Sequence, residues 1–212
     1  LLRGRSFQVS LLAECAALKV LEALQLPSIA QITNAAGKFM IVAPNTESAR
    51  EALARCRAEL NAWCLKHTYG EIGVGIAATP AACNDFVGGR FGALHKRLFA
   101  ALDIAKHQRF GLCNDQAPAD FAGFLNRFDN ALGVCQINGK YPASRRVSDQ
   151  RGYALSDLAD DQIRIGEGLT KNARILVTRE AERLPVLSLD YFGYRLAFVP
   201  DAGVSGKFGE LA

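Results

Sequence analysis

The most constraining feature of this sequence is a short hairpin pattern that lies between two amphipathic helical patterns. Residues 29–46 read IAQITNAAGKFMIVAPNT, two apolar runs joined by the tight turn Asn34-Ala35-Ala36-Gly37. Runs rich in Ile, Val, Phe and Thr on either side of an Asn/Gly turn indicate two antiparallel strands. With a third strand predicted at 71–78, the order of the elements is α-β-β-α-β.

Two helical patterns flank this hairpin. The first is predicted from about Ser6, as its N-cap, to Gln25, and the second starts after Asn45-Thr46 and ends near His67, before Gly70. In both patterns the apolar residues recur every three or four positions, so that each helix has one apolar stripe to bury. The nearby strands offer the surface for this, so the predicted fold class is α+β, with two helices on one face of an antiparallel sheet.

This arrangement is typical of a ferredoxin-like fold that lacks its first strand. In that fold a strand precedes the first helix, and Leu1-Leu2 are too short to form it. We therefore expect either a chain cut inside a domain or a domain completed by later residues. The predicted organisation is a ferredoxin-like domain at 1–112, a helix and linker at 113–152, and a small mixed α/β region at 153–212.

Helical spacing also predicts a third helix, capped by Asn84 or Asp85. Its apolar positions are Phe91, Leu94, Leu98, Leu102 and Ala105, and its other face carries Arg90, Lys96, Arg97, Lys106 and Arg109. That basic face is either solvated or turned toward RNA or another subunit. A fourth helix is predicted around 118–132.

After a Gly/Pro/Ser/Arg-rich connection at 133–152, the pattern changes to short elements. A helix is predicted from about Ser156 to Leu169, followed by a β-branched run at 173–178. Residues 184–189 and 191–199 predict a second hairpin that turns near Asp190 or Gly193.

Composition sets only wide limits on function. A chain of 212 residues that is 50% hydrophobic can bury a sizeable core, and its net charge of +4 permits an acidic partner without requiring one. We expect a cytoplasmic fragment without a membrane partner, because there is no signal peptide and no apolar run long enough to cross a bilayer. The six cysteines never occur at C-x-x-C spacing, so buried, reduced thiols and no zinc are expected.

Five short motifs, in order between residues 3 and 63, resemble the first palm domain of the large subunit of type III-A CRISPR effector complexes. They are RGRSF at 3–7, the Leu26-Pro27 break, AAGKF in the hairpin, the closing IVAPNT, and Asn61-Ala62-Trp63. Several short motifs in a fixed order are far more specific than any one of them. The resemblance therefore places the chain in this family.

The resemblance implies that the full subunit is an RNA-activated enzyme. In this family an HD domain cuts single-stranded DNA, and paired palm domains make cyclic oligoadenylates from ATP, with Mg²⁺ held by a Gly-Gly-Asp-Asp turn of the second palm. Neither an HD dipeptide nor GGDD occurs in these 212 residues, so no catalytic residue and no metal site is predicted here. The implied partners are the small subunit and guide-end subunit of the Csm complex, guide RNA, target RNA and the second palm.

The resemblance also gives the hairpin a role as a non-catalytic ATP half-site opposite the catalytic palm. The predicted nucleotide-binding residues are Asn34, Ala35, Ala36, Gly37 and Lys38, joined by Arg5 and Ser6 at the start of the first helix. The turn has no acid and cannot hold Mg²⁺, but small residues let the backbone approach a ligand while Lys38 balances phosphate charge. The alternative is an ordinary hairpin with Lys38 in solvent and a simple cap at Ser6.

The linker resembles the cysteine-bearing segment of the family, where C-x-x-C pairs form a zinc module. This chain keeps Cys135, has Asn138 at the position of the second Cys, and carries Asp160-Asp161 near the second pair, so a degenerate module without zinc is expected. The linker residues Lys140, Arg145 and Arg146 are predicted to contact RNA or a neighbouring subunit, unless they are merely solvated.

Two functions from different classes follow from these observations. The chain is either a nucleotide-binding half-site or a scaffold that docks small subunits and guide RNA without a ligand of its own. An RNA-recognition module is disfavoured, because the predicted sheet lacks exposed strand aromatics that could stack bases.

Overall fold

The computed structural model describes residues 1–112, 126–128, 131–147, 152–172, 174–179 and 186–199. The helices described are α1 (Leu2–Ala23), α2 (Glu47–Thr68), α3 (Arg90–His107) and α4 (Asp157–Lys171). The strands described are β1 (Gln31–Ala35), β2 (Lys38–Ile41), β3 (Arg145–Arg146), β4 (Ala154–Leu155), β5 (Arg174–Thr178) and β6 (Arg195–Val199). Helices with small antiparallel sheets confirm the predicted α+β class.

The chain divides into two compact units. Unit 1 combines 1–19, 31–41 and the described residues from 122 onward, and unit 2 combines 20–30 with the described residues between 42 and 121. The boundary falls inside α1 and separates the first hairpin from α2. The sequence-based boundaries after residues 112 and 152 stay a prediction.

In unit 1, α1 begins earlier than the sequence predicted. The helix starts at Leu2, and the backbone N–H of Arg5 already donates to the carbonyl of Leu1 over 2.9 Å. The prediction of an N-cap at Ser6 was therefore wrong, since Ser6 lies a full turn inside the helix. Its hydroxyl suggested a cap, but capping requires a residue whose own backbone is not yet helical.

A close crossing of α1 and α4 explains the glycine at position 4. A Cβ atom built on Gly4 would lie 1.9 Å from the carbonyl oxygen of Gln162 and 3.0 Å from the backbone nitrogen of Gly166. Both are backbone atoms, which cannot rotate away as the end of a side chain would. Only glycine lets the two helices approach this closely.

Three two-stranded antiparallel sheets lie in unit 1. In the first, β1 pairs with β2, and the register shifts between Gln31 and Thr33, which marks a bulge at Ile32. In the third, β5 pairs with β6 along all five residues. Of the predicted second hairpin, the described residues form two isolated bridges, Val186 with Ala197 and Tyr191 with Tyr194. The second bridge closes a turn at Phe192-Gly193, near the predicted Gly193, while β6 forms its longer ladder with β5.

The predicted third strand at 71–78, in unit 2, was wrong, since this segment joins no ladder among the described residues. Its backbone is held instead by the end of α3, where the guanidinium of Arg109 donates to the carbonyl of Gly73 over 3.1 Å. A Cβ atom at Gly73 would lie 2.8 Å from that guanidinium, and one at Gly75 would lie 3.1 Å from Cγ of Lys106. The two glycines thus allow close packing against α3. A four-stranded ferredoxin-like sheet is not formed by the described residues.

Local capping signals gave a mixed result. The starts of α2 and α4 were predicted correctly, and both have a cap: Thr46 accepts from the N–H of Ala49 at 3.2 Å, and Ser156 accepts from that of Ala159 at 3.3 Å. The predicted cap of α3 was wrong, because α3 begins at Arg90 and Asp85 instead accepts from Ala82 in the preceding 3₁₀ turn. The predicted helix at 118–132 lies largely outside the described residues.

Of the five cysteines that the structure describes, four are buried, as predicted, and Cys113 lies outside the described residues. Cys15, Cys56, Cys64 and Cys135 are buried free thiols, whereas Cys83 is exposed. Burial raises the pKa of Cys15 to about 12 and that of Cys64 to about 11. These two thiols therefore stay protonated near neutral pH. No helix in the described part of the chain is long and apolar enough to span a membrane.

Candidate functional site

The candidate site is the turn of the β1–β2 hairpin. Ala35 pairs with Lys38, which leaves Ala36 and Gly37 as a two-residue loop. Their φ angles are +53° and +72°, so both residues are left-handed, as a type I′ turn requires. This turn matches the right-handed twist of the strands, and Gly37 adopts it without strain, whereas Ala36 is strained by its Cβ atom.

A hydrogen bond from the hairpin to α1 was missed by the sequence analysis. The side-chain amide of Asn34 donates to the carboxylate of Glu14, and both side chains are partly buried. A carboxylate only accepts, so the amide nitrogen of Asn34 must face Glu14. The one available signal was a single acid inside the otherwise apolar stretch LLAECAA at 11–17.

This bond divides the predicted nucleotide-binding residues between the two faces of the hairpin. Asn34 and its cross-strand partner Phe39 share the face that meets α1, because directly opposed residues point the same way. Ala35 and Lys38 are the next pair, so they lie on the opposite face, and both are exposed. The hairpin is thus anchored on one side and presents Lys38 on the other.

Among the described residues, neither Arg5 nor Ser6 forms a hydrogen bond with the turn. Arg5 lies one helical turn, about 6 Å along the axis, before Val9, and a Cβ atom built on Gly37 would lie 3.4 Å from Cγ1 of Val9. The Nε atom of Arg5 donates to the side-chain oxygen of Gln162 on α4 over 3.0 Å. Because α1 begins at Leu2, neither Arg5 nor Ser6 offers the free terminal N–H groups on which their predicted role depended.

A buried polar cluster joins α1 to the carboxyl-terminal part of unit 1. The amide of Gln8 donates to the hydroxyl of Tyr191 over 2.8 Å, and that hydroxyl donates to Asp161 over 3.1 Å. Asp161 also accepts from the backbone N–H groups of Ser188 and Leu189, at 2.6 and 3.1 Å. Burial raises the pKa of both Asp161 and Tyr191. The cluster is closed to solvent, so it stabilises the fold rather than meeting a ligand.

The three predicted RNA or subunit contacts differ in their surroundings. Arg145 forms an ion pair with the buried carboxylate of Asp160. Arg146 donates to the carbonyl oxygen of Ala131 over 2.9 Å while its side chain stays exposed, and Lys140 is exposed as well. Of the three, Arg145 is the least available, because leaving Asp160 would reduce the partners of that buried carboxylate to the Ser188 hydroxyl and the more distant Arg164, at 4.0 Å.

At the proposed zinc remnant, Cys135 and Asn138 both lie within hydrogen-bonding distance of Ser156. The amide of Asn138 donates to the Ser156 hydroxyl over 3.3 Å. Burial acts to raise the pKa of Cys135, but hydrogen bonds from Ser156 and from the backbone of Asn138 and Ile137 bring it below its ordinary value. One thiol among amide and hydroxyl groups does not fit zinc, which needs four Cys or His ligands. The described residues contain no group of three or more His, Cys, Asp or Glu that could hold a metal ion.

With this geometry established, comparison with known proteins identifies the family. A family model described as Csm1 subunit domain B matches residues 1–121, which is more than half of the chain. The chain belongs to the Csm1 family. This confirms the resemblance to the large subunit of type III-A effector complexes that the motifs between residues 3 and 63 indicated.

A relative from Thermococcus onnurineus (strain NA1) is described as the "CRISPR system single-strand-specific deoxyribonuclease Cas10/Csm1 (subtype III-A)". It is 32% identical to this chain over 114 residues, which cover 52% of the chain and 15% of that Csm1 protein. The chain therefore spans only a small part of the length of its relative.

Solved Csm1 structures share the fold over nearly the whole chain. One is a Csm1-Csm4 subcomplex in the type III-A CRISPR-Csm interference complex, and another is a Csm1-Csm4 cassette in complex with one ATP. Each matches with a TM-score of 0.63 and 22% sequence identity, covering 95% of this chain and 23% of the solved chain. At this identity the match concerns the fold alone.

Proposed function

We propose that this chain supplies a non-catalytic ATP half-site to the large subunit of a type III-A Csm complex. The observation that carries the proposal is the β1–β2 turn, which is exposed, built of small residues, and followed directly by Lys38. A neighbour of the same fold was crystallised with one ATP. The full subunit would cut single-stranded DNA and make cyclic oligoadenylates, with the metal acids of the second palm outside this chain.

The chemistry of the turn suits phosphate rather than Mg²⁺. Ala35, Ala36 and Gly37 leave the backbone open to close approach, and Lys38 adds a positive charge at the same edge. Glu14 accepts from Asn34 on the opposite face of the hairpin, away from the turn residues and Lys38. Mg²⁺ bound with the ATP would therefore be held by acids of the second palm, while this chain orients the phosphates.

We place Arg5 and Ser6 outside this half-site. The guanidinium of Arg5 is engaged by Gln162 on α4, and neither Arg5 nor Ser6 offers a free N–H group at the start of the helix. Asn34 stays in the half-site as an anchor, since its amide fixes the hairpin to α1 through Glu14. The ligand-facing part of the proposal then consists of the turn residues and Lys38.

A titration of ATP into the purified 212-residue chain, followed by NMR of ¹⁵N-labelled protein, tests this proposal. Half of a site should bind weakly, with a dissociation constant near the millimolar range, about −4 kcal/mol. Lys38→Ala should weaken binding about fivefold, since an exposed charged contact contributes about 1 kcal/mol. Lys140→Ala is the matched control, because it removes an exposed lysine of the same unit that lies outside the hairpin.

Two results would contradict the half-site. One is the absence of ATP-dependent shifts in the amides of residues 34–38, and the other is equal binding by Lys38→Ala and Lys140→Ala. Either would favour the second candidate, a scaffold that docks another Csm subunit or guide RNA. The exposed Arg146 and Lys140 support that alternative, as do the fold neighbours solved together with Csm4.

A further inference from the structure

Four aromatic rings form a continuous row in unit 2. Phe86, at the end of the 3₁₀ turn, has its ring centroid 6.4 Å from that of Phe91 near the start of α3. Along α3 the row continues from Phe91 to His95 at 6.1 Å and from His95 to Phe99 at 4.3 Å. The helical residues are four positions apart, so they lie along one side of α3.

The outer end of this row faces solvent. Phe86 and Phe91 are 39% and 38% exposed, and the neighbouring Val87 is 61% exposed. The sequence analysis placed Phe91 on the buried stripe of α3, but only Leu94 of that stripe is fully buried among the described residues. The rings therefore pack on one another and leave aromatic surface uncovered, which is typical of a binding surface.

Basic side chains lie on both sides of the row. Arg90 precedes Phe91 and Lys96 follows His95, and a step of one residue turns the helix by about 100° in opposite directions. Both side chains are exposed, and neither forms an ion pair within the described part of the chain. Residues 83–109 hold five Lys or Arg against two Asp, so this segment accounts for much of the net charge of +4.

We propose that the aromatic row binds single-stranded nucleic acid. Unpaired bases would stack on Phe86 and Phe91 while Arg90 and Lys96 contact the phosphates, which is how proteins hold single strands without reading their sequence. Duplex DNA or RNA could not use the rings, because its bases are already stacked. A purely apolar protein partner would gain nothing from cations on both flanks.

The test is fluorescence anisotropy of the 212-residue chain with labelled oligo-dT and oligo-rU of about 12 nucleotides, within the usual site size for such surfaces. We expect both to bind at low salt, and Phe91→Ala to weaken binding five- to tenfold, since base stacking contributes about 1–3 kcal/mol. Phe91→Trp should retain binding. Ile104→Ala is the matched control, because Ile104 is 60% exposed on the same helix but outside the row.

The same experiment also tests the role of the basic side chains and compares DNA with RNA. Lys96→Glu should weaken binding and reduce the slope of log affinity against log salt by about 0.7 for each phosphate that the protein no longer neutralises. Arg55→Glu on α2, which is also exposed, should change neither. Stronger binding of one oligomer would assign the surface to RNA or to DNA.

The proposal is overturned if the wild-type chain binds neither oligomer, or if Phe91→Ala and Ile104→Ala bind equally. A concentration-dependent self-association that Phe91→Ala abolishes, without oligomer binding, would show instead that the row is a protein interface. None of these outcomes depends on ATP. The aromatic row and the hairpin half-site can therefore fail separately.

Discussion

Substituting Gly4 by alanine tests the crossing of α1 and α4 most directly. The added methyl group would lie 1.9 Å from the carbonyl oxygen of Gln162, far inside van der Waals contact. The obstructing atoms belong to the backbone of α4, so relief requires the two helices to move apart. That movement would also disturb the hydrogen bond from Arg5 to Gln162 and the buried one from Gln8 to Tyr191.

The expected cost follows from two opposing effects. Overpacking a filled site usually costs about 1–3 kcal/mol, and the rigid backbone on the far side of Gly4 places this case near 3. Alanine is a better helix former than glycine and returns about 1 kcal/mol. The net loss in the free energy of unfolding is therefore about 2 kcal/mol, or a fall of about 4–8 °C in Tm for a chain of this size.

Thermal unfolding followed by circular dichroism measures this loss, and two glycines serve as controls. A Cβ atom at Gly166, on the α4 side of the same crossing, would have its nearest neighbour at 3.7 Å, and one at Gly92 in α3 would meet nothing within 4 Å. Alanine at either position should leave Tm unchanged or raise it. If Gly4→Ala melts at or above the wild-type temperature, then α1 and α4 do not cross at Gly4.

Two further predictions concern the turn and the buried carboxylate. Ala36→Gly should stabilise the chain by up to about 1 kcal/mol, because φ is +53° and a left-handed residue with a Cβ atom costs about 1–2 kcal/mol; an unchanged urea midpoint would contradict the turn geometry. Burial raises the pKa of Asp161, so the folded chain binds a proton on this carboxyl group more tightly than the unfolded chain does. The contribution of Asp161 to stability therefore falls as the pH rises from the ordinary carboxyl range through the pKa of the folded state. The stability of the wild type relative to Asp161→Asn, measured by urea unfolding, should accordingly be lower at pH 7.5 than at pH 4.5, and the opposite trend would show that the hydrogen bonds outweigh burial.

Features determined by neighbouring residues could be predicted from the sequence. Thr46 and Ser156 mark helix starts because a hydroxyl acts on N–H groups only two or three residues away. The turn at Ala36-Gly37 was found for the same reason, since its conformation depends on local backbone preferences. The same reasoning predicted the wrong start for α3, because the side chain of Asp85 accepts from the N–H of Ala82 in the 3₁₀ turn that precedes this helix.

Features that depend on distant residues could not be predicted in this way. Residues 71–78 have the composition of a strand, but Arg109 takes up the carbonyl of Gly73 from 36 residues away. Likewise, nothing near Glu14 reveals that it accepts from Asn34, and nothing near Gly4 reveals the carbonyl of Gln162. The turn of the candidate site was thus predicted from the sequence, while its bond to Glu14 and the division of the hairpin into two faces required the structure.

The bond between Gln8 and Tyr191 has a consequence for the order in which this chain can fold. It joins residues 183 positions apart, and the first turns of α1 form side-chain hydrogen bonds with α4 and with Tyr191. During synthesis, most of unit 2 leaves the ribosome well before those partners exist, so it can form first, while the start of α1 waits. Contacts of such long range also slow folding, since the intervening chain must be closed into a loop before they contribute. Until the residues around Tyr191 are synthesised, the apolar side of the first turns of α1 stays exposed, and the chain is vulnerable to aggregation.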